Sequence, residues 1–182
     1  MLIEARISPK DKRSLNRIVM GIAKKYHLTP NQFHRVPHLT LYGSFKCKPK
    51  DIRRVINVLS SICCNFDPIE LYIEGFDYIK RPNNNVIFFK PVRSAQLDKL
   101  EEMRRLIRDE LNKFVFNVNK WDQKRFLESI FGSRFIYHIT VAYRLSDRKF
   151  KEIWSWIKNK EFSMKLNIQR ITYLIGQFQN HR

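Results

Sequence analysis

Two four-residue stretches a hundred positions apart constrain this 182-residue chain more than any other feature. They are His38-Leu39-Thr40-Leu41, within residues 36–45, and His138-Ile139-Thr140-Val141, within residues 136–145. Each sets His and Thr two residues apart with an apolar residue after each. On a β-strand successive side chains alternate faces, so His and Thr share one face and the apolar pair the other. At about 3.3 Å per residue the His and Thr Cα atoms stand roughly 7 Å apart, and both side chains can reach one phosphate. A second such strand facing the first supplies a second imidazole, and two imidazoles flanking one phosphorus can do acid–base chemistry on it.

The surroundings of the two stretches repeat as well. Residues 2–7 read as a short strand with Glu4 and Arg6 on one face. Ser8-Pro9-Lys10-Asp11 has the capping Ser, first-turn Pro and acidic residue that open a helix, with an apolar stripe of Leu15, Ile18, Val19, Ile22 and Tyr26. The first motif strand, 37–45, directs Leu39 and Leu41 to the core and His38, Thr40 and Tyr42 the other way, and Gly43 ends or bulges it. A helix at about 51–64 and a strand within 68–80 complete this half, and Arg81–Asn85 reads as a turn. An apolar strand carrying Lys90 (86–92), a helix capped by Ser94, the second motif strand (135–145), a helix capped by Ser146 and a strand around Met164, Leu166 and Ile168 then follow.

The order is β-α-β-α-β twice, with halves at approximately 1–82 and 83–182 of one domain. The expected fold is α+β: two pseudo-symmetric α/β lobes with antiparallel sheets around a central cleft that both motif strands face. Arg6 and Lys90 lie on the first strands of the two halves and are matching positions near that cleft. The least regular region, 114–135, holds Trp121, Phe126, Phe131 and Phe135, read as core plugs or a base-stacking rim, with a short helix at 123–131.

Composition narrows the partners. Thirty-five Lys+Arg against 17 Asp+Glu give a formal charge of +18, which favours a polyanion, nucleic acid being the commonest. Three cysteines, two of them adjacent, make no disulfide framework or CxxC zinc motif, and with no apolar run of about 20 residues the expectation is a cytoplasmic protein without a membrane partner. His34 lies four before His38. Pro37 argues against a helix there, and along a strand the two would stand about 13 Å apart, which speaks against a metal pair on that spacing.

The paired stretches resemble the motifs of the 2H phosphoesterase superfamily, with chain length, element order and the Pro37-His38 and Gly43 surroundings closest to its RNA 2′,3′-cyclic phosphodiesterase, or 2′-5′ RNA ligase, branch. The resemblance covers essentially the whole chain. It implies two pseudo-symmetric lobes around a cleft and catalysis with no metal or other cofactor. Carried over, His38 and His138 form the acid–base pair, while Thr40 and Thr140 hold phosphate oxygens. Tyr42, Arg6, Lys90, Tyr143 and Arg144 are the candidate substrate contacts. Members often have an Arg shortly after the second motif's small residue; here Ala142 is followed by Tyr143, with Arg144 one place later.

The chemistry also follows from the residues. Opening a 2′,3′-cyclic phosphate to the 2′-phosphate needs a base for water and an acid for the departing ribose oxygen, and imidazole, with a reference pKa of about 6.5, suits both. Which histidine does which is not legible in sequence. The expectation is a monomeric enzyme acting on RNA ends or cyclic-phosphate nucleotides, with 2′-5′ ligation as the reverse reaction. Two readings compete with it: a phosphodiesterase of small nucleotides or 2′-5′ oligoadenylates, and a non-catalytic RNA-binding module.

Overall fold

The computed structural model describes residues 1–34, 36–43, 45–82, 84–117 and 135–175. In chain order the strands are β1 (Leu2–Ile7), β2 (His38–Gly43), β3 (Phe45–Lys46), β4 (Ile69–Ile79), β5 (Asn85–Pro91), β6 (Phe116–Asn117), β7 (Ile139–Leu145) and β8 (Ser163–Leu174). The helices are α1 (Pro9–Lys25), α2 (Ile52–Cys63), preceded by one 3₁₀ turn, α3 (Ala95–Leu111) and α4 (Asp147–Ile157). The proposed short helix at 123–131, with Trp121, Phe126 and Phe131, lies outside the described residues.

Local chemistry explains where the helices start. Ser8, Ser94 and Ser146 each accept a hydrogen bond from the backbone N–H three residues on, at 3.1, 3.2 and 3.3 Å, so a donor left orphaned by the helix start is satisfied. Leu15, Val19 and Ile22 of α1, Val55 and Leu59 of α2, Leu100, Met103 and Ile107 of α3, and Phe150 and Ile153 of α4 are buried. They join one apolar cluster with Ile3, Leu39, Leu71, Ile87, Phe89, Ile139, Val141 and Leu166 from the strands, so the helices cover one face of the sheet.

The antiparallel α+β class is observed, and the two halves contribute three strands each to one continuous six-stranded sheet. Its order is β2-β1-β8-β4-β5-β7. This order maps onto itself when the halves are exchanged: β2 with β7, β1 with β5, β4 with β8. The third strand of each half is therefore inserted beside the first strand of the other, and the pseudo-twofold axis passes between β4 and β8. Both motif-bearing elements fall on the sheet edges. The short ribbon of β3 and β6 lies apart from this sheet.

Two irregularities interrupt the strand register. A register shift between Ile3 and Glu4 puts Tyr42 opposite Ile3 and Thr40 opposite Glu4, so one extra residue of β2 is accommodated there. Gly75, in the left-handed region at φ 63°, accompanies a separate register shift between the interior strands β4 and β5, a conformation that costs a residue with a Cβ more than it costs glycine.

Candidate active site

The two histidines are held alike. His38 heads β2, and His138 stands one residue ahead of β7, in the segment leading into it. The Nδ1 of His38 lies 2.9 Å from the Val36 carbonyl oxygen, and the Nδ1 of His138 lies 3.0 Å from that of Ile136. A carbonyl oxygen only accepts, so Nδ1 carries hydrogen in both rings and Nε2 is the atom left for chemistry. The same bond at the same offset in both halves is a structural repeat that identity alone does not show.

Although β2 and β7 are opposite edges of the sheet, they approach each other. The loop between α1 and β2 bridges them. Tyr143 N–H donates to the Gln32 carbonyl at 2.8 Å, and the Gln32 amide nitrogen donates to the Arg144 carbonyl at 3.4 Å. The sheet is thus curled until its edges flank a common cleft, with one His-x-Thr pair on each side.

His34 sits in this bridge and was not among the residues expected in the site. Its ring stacks on Tyr143 at 4.6 Å, with 10° between the planes, and meets His38 edge-on at 5.0 Å. Burial, followed by the charges of His38, His138 and Arg144, pushes its pKa down to about 4. The strand-based separation of about 13 Å between His34 and His38 does not hold: residues 34, 36 and 37 are not in a strand, and the two rings stand 5.0 Å apart. Among the described residues no group of three or more His, Cys, Asp or Glu is arranged to hold a metal ion.

The register places the other candidates. Arg6 stands opposite His38, and Phe88 and Phe89 stand opposite Thr140 and Ile139, so one further step along β5 brings Lys90 level with His138. Arg6 and Lys90 are matching positions, as the sequence suggested. Arg6 pairs with Glu4 at 2.9 Å and donates from Nε to Thr172 Oγ1 at 3.0 Å. Lys90 borders a cavity of about 570 Å³ lined also by Tyr78, Phe88, Phe135, Arg93 and Arg105, with Asp77 and Glu101 as its acidic members. Arg93 is ion-paired with Asp98, and Glu101 is engaged by Arg104 and Tyr137.

Tyr143 belongs to the site's wall through its stack on His34. Arg144 is exposed, in the left-handed region at φ 53°, with its guanidinium 5.5 Å from the Tyr143 ring. Tyr42 must be removed from the site. The bulge in β2 turns it into the main core, where it packs on Phe45 and donates to Asn112 just beyond α3. Sequence alternation assigned it the face of His38 because a one-residue shift reverses every side chain beyond it.

Glu4 is the larger omission. It is 1% exposed, and its Oε1 lies 3.3 Å from His38 Nε2. The signal was present as an acidic residue within an apolar strand, on the face of Arg6. Among the described residues no carboxylate pairs with His138; the Phe88 ring lies 5.5 Å from its own. Burial lowers the pKa of His138, against the bond to Ile136, and the charges of His38 and Arg81 add to the depression.

With the paired geometry in view, comparison with known proteins settles the family. The model of the 2′-5′ RNA ligase superfamily matches residues 9–177, most of the chain. The chain belongs to this superfamily, the 2H phosphoesterases. Similar proteins include one from Bacillus cytotoxicus, 27% identical over 161 residues, spanning 88% of this chain and 80% of the relative. Others come from Bacillus cereus strain B4264 and Bacillus thuringiensis strain Al Hakam, 25% and 26% identical over 160 residues with the same coverage. All three carry the provisional name phosphoesterase. Membership of the superfamily supports phosphoesterase chemistry. Among the described residues no helix is long and apolar enough to cross a membrane.

Proposed function

We propose that this 2H phosphoesterase opens 2′,3′-cyclic phosphates at RNA ends to 2′-phosphates by a two-histidine acid–base mechanism. The observation that carries the reading is the matched presentation of His38 and His138. Each has Nδ1–H held by a carbonyl two residues back, and the two stand on strand edges that curl to face each other. In-line displacement at phosphorus needs an acid and a base on opposite sides of the reacting atom, and this arrangement offers them. Thr40 and Thr140, on the same two elements, supply hydroxyl donors to the non-bridging oxygens as charge builds there. The relatives' shared name points to the same class of chemistry.

RNA is favoured as the substrate by the +18 formal charge and by the cavity lined in part by Phe88, whose ring neighbours that of His138. There Lys90 and Arg105 offer phosphate contacts, and Tyr78, Phe88 and Phe135 offer ring faces for a base. The test is a panel of 2′,3′-cyclic phosphates, from mononucleotide to oligonucleotide, with the product isomer identified. The wild type should yield 2′-phosphate with a bell-shaped pH profile, unchanged by EDTA. His38→Ala and His138→Ala should each lower turnover by about a thousandfold while remaining folded. Longer RNA should be preferred, with steep salt dependence. One fully active single mutant, or activity lost to EDTA and restored by a divalent ion, would refute the mechanism.

A further inference from the structure

The pseudo-twofold exchange of halves makes α1 equivalent to α3, each being the first helix of its half, yet their charges differ. α1 carries six Lys and Arg against one acidic residue, whereas α3 carries four against five. On α3, Arg104 and Arg108 are ion-paired with Glu101 and Asp109 of the same helix. The acidic residue of α1, Asp11, is buried, and its carboxylate accepts from the Asn167 backbone N–H at 2.9 Å. Of the cations on α1 it feels Lys10.

The exposed cations of α1 follow one line. With 3.6 residues per turn and a rise of 1.5 Å, Lys10, Arg13, Arg17 and Lys24 fall within an arc of about 60° along about 21 Å of helix. Leu15, Val19 and Ile22 occupy the opposite side and enter the core. All four cations are exposed, and among the described residues none stands within ion-pair distance of a carboxylate. Like charges three and four residues apart destabilise a helix, so the stripe costs the free protein stability that a polyanion laid along it would restore. At the C-terminal end of α1 the stripe broadens around a half-exposed indole: the Nζ atoms of Lys25 and Lys160 lie 4.0 and 4.5 Å from the Trp156 ring centroid. The chain then enters the loop whose Gln32 and His34 join the two motif strands.

We propose that the outer face of α1 is an RNA-docking stripe separate from the catalytic cleft. Lys10, Arg13, Arg17 and Lys24, with Lys25 and Lys160 at its end, hold phosphates of the RNA body while its terminus occupies the cleft. The proposal rests on the RNA-end reading above. Nucleic acid is favoured over an anionic membrane because a helix lying on lipid buries an apolar face there, and the apolar face of α1 is already in the core. A phosphate backbone needs only the row of cations.

The experiment compares two variants of the full-length protein that remove equal charge. One is Lys10→Gln/Arg13→Gln/Arg17→Gln/Lys24→Gln; the other is Arg53→Gln/Lys99→Gln/Arg108→Gln/Lys113→Gln, on and beside α2 and α3. Binding of a 20-nucleotide single-stranded RNA with an ordinary 3′-hydroxyl is followed by fluorescence anisotropy across salt concentrations. The α1 variant should bind at least about tenfold more weakly, with the slope of log affinity against log salt shallower by about three; the other variant should lose far less. On a cyclic-phosphate mononucleotide the α1 variant should keep the wild-type kcat/KM, and on the 20-nucleotide cyclic phosphate its KM should rise while kcat holds. Should the fourfold variant not fold, Arg13→Gln/Arg17→Gln should show about half the change in slope.

Equal losses in the two variants overturn the proposal, since net charge rather than the stripe then binds RNA. So does unchanged RNA binding in the α1 variant, or a defect confined to phosphatidylserine-containing vesicles, which makes the stripe a membrane contact. If the wild type turns over no cyclic phosphate, the functional reading fails by itself, and the anisotropy still decides whether α1 docks RNA.

Discussion

His38 and His138 share a backbone partner and differ in what lies beside the ring, so their neighbours have separable effects. Thr40 and Thr140 are half-buried and stand one alternation from the histidines on the same face. Replacing either by Val keeps the β-branched shape and removes the hydroxyl. Each change should lower kcat by roughly a hundredfold on a cyclic phosphate, with little change in thermal stability. Tyr42→Phe should do the reverse. The Tyr42 hydroxyl donates to Asn112, an exposed residue at the end of α3, so its loss should cost about 1 kcal/mol in chemical denaturation and leave kcat/KM unchanged. A kinetic defect in that variant would return Tyr42 to the cleft.

Element by element, the motif strands depend on how their ends are fastened. Leu2 stands opposite Gly43 at the end of β2, and a Cβ on Gly43 would come within 2.3 Å of Leu2 Cδ1 and 3.2 Å of Leu2 Cα. The backbone atom cannot turn away as a side-chain end can. Gly43→Ala should therefore destabilise the fold by about 1–3 kcal/mol, measured by urea denaturation, because β1 and β2 must separate to admit it. The segment before β7 is fastened differently. Tyr137 donates to Glu101 at 2.7 Å, Glu101 pairs with the buried Arg104, and Arg104 stacks on Phe135 at 4.4 Å. Burial, together with Glu101, holds the Tyr137 hydroxyl protonated well above its usual range, so it remains a donor and ties His138's neighbour to α3. Element order, caps and apolar stripes were legible beforehand because each depends on a few adjacent residues. The bulge opposite Glu4 was not, since it exists only between two paired strands.

The molecule as a whole carries its pH response in the bridge that closes the cleft. His34 is depressed from 6.5 to about 4, chiefly by burial, and His138 is depressed as well. Between those pH values the unfolded chain binds a proton at position 34 that the folded chain does not, so the slope of unfolding free energy with pH is positive there. Stability should be complete above about pH 6.5 and fall as pH drops toward about 4, the range set by His34. His34→Gln should flatten that fall in thermal melts recorded across the interval. An identical pH dependence in that variant would show that His34 does not couple folding to protonation.

The amino-acid sequence by itself determined the duplicated element order, the faces of the helices and the identity of the four motif residues. Each follows from periodicities of 2 and 3.6 and from capping chemistry within a few positions. Only the tertiary structure decided that each half lends its third strand to the other. It alone brought the two edges together through the loop holding His34, withdrew Tyr42 to the core, and set Glu4 beside one histidine and Phe88 beside the other. The physical reason is that strand exchange, sheet curvature and register shifts are properties of long-range pairing: a residue's own neighbours in the chain carry no information about which strand will lie opposite it.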